Sequence, residues 1–288
     1  MVSQRLIATV NILNGVAVQS INFKNYLPIG DPEIAISFLN DWGIDEIIIL
    51  DIKATLNQDC TLFKYLPQYV SNCQSPITAG GGVRNLQDIE NLIRNGADKV
   101  VINSSFFNDS NLLQEGIKEF GSQAFVISID VKKVNNEYII FTESFSKRVN
   151  LPINKAMEAI NDSGAGEVIV NSIDNDGSKT GFDISLLKYV KSKLNIPVIG
   201  CGGAGRPSHF IKASQIGLSG LAAGNFFHFN EHSVMVLKGF LNTNGQDVRI
   251  DSDSNYLKHN FCSQGRLSIK SEKSLESLKY HYIPPEEI

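Results

Sequence analysis

Asp130 closes the run Ser128-Ile129-Asp130-Val131-Lys132, and the matching point of an earlier run, Thr9-Val10-Asn11-Ile12, carries Asn11. A carboxylate can exchange a proton and a carboxamide cannot. If one carboxylate from each run once worked as a general acid and base pair, half of that pair is absent. The alternative is that Asp130 only hydrogen bonds within a polar mouth. Asp51 and Asp174 end two further runs and either assist binding or have a structural part only.

Two loops are rich in glycine: Pro76-Ile77-Thr78-Ala79-Gly80-Gly81-Gly82 and, 121 positions later (76 to 197), Pro197-Val198-Ile199-Gly200-Cys201-Gly202-Gly203. Glycines at a strand end let backbone N–H groups approach an anion, and a following helix N-terminus adds a favourable dipole. Gly81, Gly82, Asn103 and Ser104 make one candidate phosphate site; Asp176, Gly177, Gly202, Gly203, Gly224 and Asn225 make the second. A small molecule with phosphate at both ends would suit the pair. The bland alternative is that the glycines only make tight turns.

Four charges, Arg5, Glu46, Lys99 and Glu167, fall at the starts of four apolar runs. Charges inside a barrel are costly unless paired, and two of each sign are neutral together. They are expected to close a ring across one end of a barrel; singly, each would be a solvated strand end.

Such residues need a scaffold. The 121-residue offset also carries Gly43 to Gly164, Glu46 to Glu167, Gly96 to Gly217 and Phe106 to Phe227, so a whole half-molecule is repeated. Runs rich in Val and Ile alternate with amphipathic segments, as in repeated βα units. Strands are predicted at residues 6–12, 46–51, 76–79, 99–103, 124–130, 167–171, 197–200 and 220–223, with helices at 32–41, 85–95, 109–120 and 184–194 among others. The expected architecture is α/β, a (β/α)8 TIM barrel over residues 1–250, in half-barrels of about 1–122 and 123–250. Residues 14–31 and 134–149 form long loops and candidate lids, the second with a hairpin at Glu137-Tyr138-Ile139-Ile140-Phe141. Residues 251–288 form a C-terminal extension, whose Leu267, Ile269, Leu275 and Leu278 are expected to pack on the barrel or a partner.

The chain has 288 residues, 42% hydrophobic, with a formal net charge of −4. That balance supplies no basic field for nucleic acid or a membrane surface. A signal sequence and a spanning run are both absent from the reading, which predicts a cytoplasmic location. Cys60, Cys73, Cys201 and Cys262 form no CxxC pair and are expected as free thiols. His209, His228, His232, His259 and His281 lack metal-ligand spacing, so no metal and no cofactor is expected.

Taken together, Arg5-Leu6-Ile7-Ala8, Gly30-Asp31-Pro32, Ala79-Gly80-Gly81-Gly82, Gly96-Ala97-Asp98-Lys99-Val100, Gly121-Ser122-Gln123-Ala124, Gly164-Ala165-Gly166-Glu167, Ser172-Ile173-Asp174-Asn175-Asp176-Gly177, Gly202-Gly203-Ala204-Gly205 and Phe227-His228-Phe229 resemble the cyclase subunit of imidazole glycerol phosphate synthase. The resemblance covers about residues 1–250. It implies a bisphosphorylated ribulosyl substrate on the upper face and a docked glutaminase on the lower face, forming a heterodimer whose ammonia crosses the barrel. It implies catalytic carboxylates at Asp130 and the position of Asn11, an ammonia gate of Arg5, Glu46, Lys99 and Glu167, and a glutaminase-facing Asp98.

The departures from that family cluster on the upper face: Asn11 for Asp, Gln19 for a phosphate-contacting Lys, and Asn171, Cys201 and Asn225 at Thr and Ser positions. The lower ring is complete. The chain is thus most similar to surface-polysaccharide paralogues of that subunit, whose barrel helps supply ammonia to an ATP-dependent amidotransferase that makes acetamidino sugars. Two other readings stand beside it, an active cyclase of histidine biosynthesis and a module that senses a phosphorylated metabolite.

Overall fold

The computed structural model describes residues 4–57, 60–143, 146–230, 232–250 and 255–277. Eight parallel strands follow one another in chain order: Arg5–Leu13, Glu46–Asp51, Ile77–Gly80, Lys99–Ile102, Phe125–Val134, Glu167–Ser172, Val198–Cys201 and Gly220–Ala223. Each pairs with the next, and the eighth pairs with the first through Arg5↔Gly220 to Ala8↔Ala223. The sheet is therefore a closed barrel with helices between its strands, a (β/α)8 fold. The first and fifth strands run on past residues 12 and 130, to Leu13 and Val134, because hairpins extend them beyond the barrel rim.

The helices begin where local chemistry lets them. Asp31 caps Pro32–Asp41 by accepting from the Glu33 backbone N–H at 2.8 Å, with proline in the first turn. Asn85 caps Leu86–Arg94 through the Asp88 N–H, and Asp183 caps Ile184–Lys193 through the Leu186 N–H. Their apolar faces and the outward faces of the strands form the larger core, including Leu6, Ile47, Leu92, Phe125 and Val190. Among the described residues no helix is long and apolar enough to cross a membrane.

Because strand side chains alternate with period two, every second residue points into the barrel. Four strands read the same way from bottom to top: Arg5, Ile7, Thr9, Asn11; Glu46, Ile48, Leu50; Lys99, Val101, then Asn103 past the strand; and Glu167, Ile169, Asn171. The middle positions join Val126, Ile199, Cys201 and Ala222 in a separate buried apolar layer. The barrel thus stacks charge, hydrocarbon and polar mouth along one axis.

The first long loop is not irregular. Strands Val16–Ile21 and Asn25–Gly30 form a hairpin continuous with the first barrel strand. Asn14 and Gly15 both take positive φ (53° and 79°), the geometry that a two-residue primed turn requires and that Asn-Gly supplies at low cost. That dipeptide is legible in the sequence, and the loop reading overlooked it. The hairpin expected after the fifth strand is present, as Glu137–Thr142 against Phe125–Val134, turning at Asn135 and Asn136.

The tail packs on the barrel, but through other residues than those expected. Tyr256 and Phe261 lie against Gly239 of helix Ser233–Thr243, where a Cβ would come within 3.0 Å of Tyr256. Phe261 meets Phe240 edge-on, and Gly265 sits over Pro207. Leu267 bridges to Phe261 yet stays 37% exposed, Ile269 is 97% exposed and Leu275 is 50% exposed. Aromatic area and a side-chain-free helix position carry this docking; Leu278 lies outside the described residues.

Candidate functional site

At the strand-start end the four charges meet. Arg5 Nη1 reaches Glu46 Oε2 at 2.8 Å and Arg5 Nη2 reaches Glu167 Oε1 at 2.5 Å; Lys99 Nζ lies 3.2 Å from Glu46 and 3.0 Å from Glu167. Each cation bridges both carboxylates, which closes the ring. Thr78 Oγ1 donates to Glu46 Oε1 at 2.7 Å from the third strand, a contact the sequence reading missed because a lone threonine carries no signal. Glu46 is 2% exposed. Asp98, at the same end, is exposed and accepts from the Ile77 N–H at 2.7 Å, so it already serves the backbone.

A second buried pair lies nearby. Lys238 Nζ sits 2.6 Å from Asp45 Oδ1 and donates to the Gly43 carbonyl, while Asp45 Oδ2 accepts from the Leu6 N–H at 2.7 Å. It ties helix Ser233–Thr243 to the first two strands. Nothing in the spacing of 45 and 238 could have announced it.

At the opposite end lies a cavity of about 540 Å³. Asn11, Asp130 and all ten glycine-loop residues named above line it, so the closed barrel brings the whole upper set together. Asp51 also lines it, but its Oδ1 accepts from the Lys53 and Ala54 N–H groups. Asp174 does not line it and accepts from the Lys133 N–H.

Asp130 is 6% exposed. Burial pushes its carboxyl up to about 7, against hydrogen bonds from Asn103 and Asn171 and with a smaller push from Asp176. Asn103 Nδ2 donates to Asp130 Oδ2 at 2.8 Å. Cys201 in the same wall is raised to about 12, chiefly by burial, so it stays a thiol.

The second glycine loop is partly covered by the chain itself. Ser20 Oγ donates to Asp176 Oδ2 at 2.6 Å, and the Phe23 N–H donates to the same oxygen. Asn225 accepts from the Ser20 N–H at 3.2 Å and donates to the Ser20 carbonyl at 2.7 Å; Gln19 donates to the Asn225 carbonyl. A Cβ on Gly177 would meet Ser20 O at 2.7 Å, and one on Gly203 would meet Gly181 O at 2.1 Å. On the first loop a Cβ on Gly81 would meet Asp51 O at 2.3 Å. Close approach of the chain's own backbone requires these three glycines.

A closed (β/α)8 barrel with a polar cavity at the strand ends and a paired ionic ring at the strand starts is the class this geometry defines. The family profile described as histidine biosynthesis protein matches residues 5–233, and the chain belongs to that family. It is 38% identical to imidazole glycerol phosphate synthase subunit HisF of Sulfurisphaera tokodaii over 250 residues, 87% of this chain and all of that protein. It is 35% identical to the HisF subunit of a Thermotoga species over 251 residues, and 38% identical to that of Campylobacter concisus over 249. These relatives are matched over 98–100% of their own length.

Proposed function

We propose that this chain is a HisF-like barrel subunit with little or no cyclase activity, which partners a glutaminase at its strand-start face and conducts ammonia through the barrel to a separate acceptor. The observation that carries this reading is the contrast between its two ends. The ionic ring is complete and doubly bridged. The mouth has Asn11 where an acid and base pair needs a second carboxylate. A buried ring of four charges gains little over a packed apolar layer as mere stabilisation, so its retention beside an edited mouth favours a separate use.

Neutral ammonia passes if one ring member swings aside, and then crosses the apolar layer of Ile7, Ile48, Val101 and Ile169. An ammonium ion would have to shed water and meet Arg5 and Lys99. The acceptor in this reading is an ATP-dependent amidotransferase acting on a nucleotide sugar of a surface polysaccharide, a pathway that rests on family resemblance alone. The glycine loops and cavity retain room for a phosphorylated small molecule.

The test supplies the purified chain with the family's ribulosyl substrate and saturating ammonium. When acid and base act as a unit, losing one costs orders of magnitude, so the expected rate is at least about a hundredfold below that of a HisF relative. Turnover equal to the relative's would overturn the reading in favour of an active cyclase of histidine biosynthesis.

A further inference from the structure

Both glycine loops face one cavity, but the chain bonds itself to only one of them as a strand bonds to its neighbour. Asn225 accepts from the Ser20 N–H at 3.2 Å and donates to the Ser20 carbonyl at 2.7 Å. That two-point exchange is how paired strands hold each other. Beside it, Asp176 Oδ2 takes bonds from the Ser20 hydroxyl at 2.6 Å and the Phe23 N–H at 3.1 Å, and the Asp176 carbonyl accepts from the Asn22 N–H at 3.1 Å. The hairpin also lies close: a Cβ on Gly177 would meet Ser20 O at 2.7 Å and the Ile21 Cα at 2.8 Å. The second loop thus spends its polar side chains on the hairpin.

Charge separates the two loops as well. A phosphate group carries close to two negative charges at neutral pH. Arg84, the single basic side chain among the described residues that line the cavity, directly follows the first glycine loop. Ser104 accepts from the Glu143 N–H at 3.3 Å, so its own hydroxyl proton can go to a ligand oxygen. The acids on that side are engaged: Asp51 by the Lys53 and Ala54 N–H groups, Asp109 by the Asn111 N–H, and Glu143 by Lys147 at 3.4 Å. At the second loop the charged lining residue is Asp176, whose sign repels an anion. Between the loops, Thr9, Asn11, Ser128 and Asn171 supply neutral donors and acceptors, which suit hydroxyl groups.

We propose that this mouth takes a ligand with one phosphate, a small sugar monophosphate seated at the first glycine loop, and that Ser20 and Asn225 exclude a second phosphate from the other loop. The inference rests on the reading of this mouth as one that does not cyclise, and it names the class of ligand the mouth holds. Arg84 and Ser104 bind the phosphate, and the hairpin stays closed whether or not a ligand is present. The cavity of about 540 Å³ is in the size range of small-molecule sites.

Calorimetric titration of the isolated full chain with ribose 5-phosphate and with ribulose 1,5-bisphosphate compares one phosphate with two. Both are expected to bind, the bisphosphate at most about threefold more tightly, because a second seated phosphate would add about tenfold or more. Arg84→Ala should weaken both about tenfold. Gln19→Lys combined with Asn225→Ser supplies a cation and removes the two-point exchange; it should tighten the bisphosphate about tenfold and leave the monophosphate unchanged. Hydrogen exchange on the unaltered chain needs no variant: the Ser20 and Phe23 amides should keep the same protection with bisphosphate present. A bisphosphate preference above about tenfold, release of those amides on adding it, or binding of neither ligand overturns the inference. The proposed function fails separately. Tight bisphosphate binding without turnover removes the one-phosphate mouth and keeps that function, whereas one-phosphate binding in a chain whose ring substitutions never alter ammonia transfer keeps the mouth and removes the conduit.

Discussion

Asp130 is the residue where burial and chemistry meet. Its carboxyl is raised from 3.8 to about 7 in the folded chain. Between those values the folded state holds a proton that the unfolded state has released, so stability falls as pH rises through that window and levels off above it. Asp130→Asn should remove this slope, raising the denaturation midpoint at pH 8 relative to wild type and leaving it nearly unchanged at pH 4; urea titrations at both pH values would show it. Glu46 at the other end is held by Arg5, Lys99 and Thr78. Glu46→Ala leaves two cations facing one carboxylate at the barrel floor and should cost about 3–5 kcal/mol of unfolding free energy. A loss below about 1 kcal/mol would mean that solvent already screens the ring.

At the scale of elements, one long-range pair and one glycine hold helix Ser233–Thr243 and the tail. Lys238→Met removes the partner of Asp45, both side chains being 5% exposed, and leaves a buried carboxylate held chiefly by the Leu6 N–H. A loss of about 3–5 kcal/mol is expected by chemical denaturation. Gly239→Val would drive a branched side chain into Tyr256 and Phe261. Limited proteolysis should then cut the chain after residue 250 faster than in wild type, while the circular dichroism of the barrel persists. Equal cleavage rates would show that Gly265 on Pro207 and the Ser208–Gln264 backbone bond suffice to hold the tail. The first hairpin is likewise an element with a job: through Ser20 and Phe23 it hydrogen bonds Asp176 and, through Ser20, Asn225, two of the expected phosphate-site residues.

For the whole molecule, the decisive comparison is between its two ends. With a glutaminase partner co-purified and the acceptor enzyme present, Lys99→Ala should lower glutamine-dependent product formation severalfold while ammonium-dependent formation holds. The ratio isolates passage from chemistry. Equal ratios in wild type and variant, or no complex at all, would defeat the conduit.

The sequence by itself determined the barrel. Short runs rich in Val and Ile alternating with amphipathic segments, a 121-residue repeat (76 to 197) and matched glycines leave few other ways to bury this much hydrocarbon. It also determined the inward stack on each strand, because alternation is a local property: once Arg5 points in, so do Ile7, Thr9 and Asn11. The Asn14-Gly15 turn was equally local and was there to be read. Tertiary structure alone decided what each inward group meets. Closure brought Arg5 and Lys99 onto the same two glutamates, set Lys238 on Asp45 across the chain, turned Ser20 onto Asn225, and buried Asp130 between two carboxamides. Those contacts depend on distances between strands and loops far apart in the chain. The strength of an ion pair, the rise of a carboxyl and the fit of an aromatic ring on a glycine all follow from such distances, which no spacing along the sequence encodes.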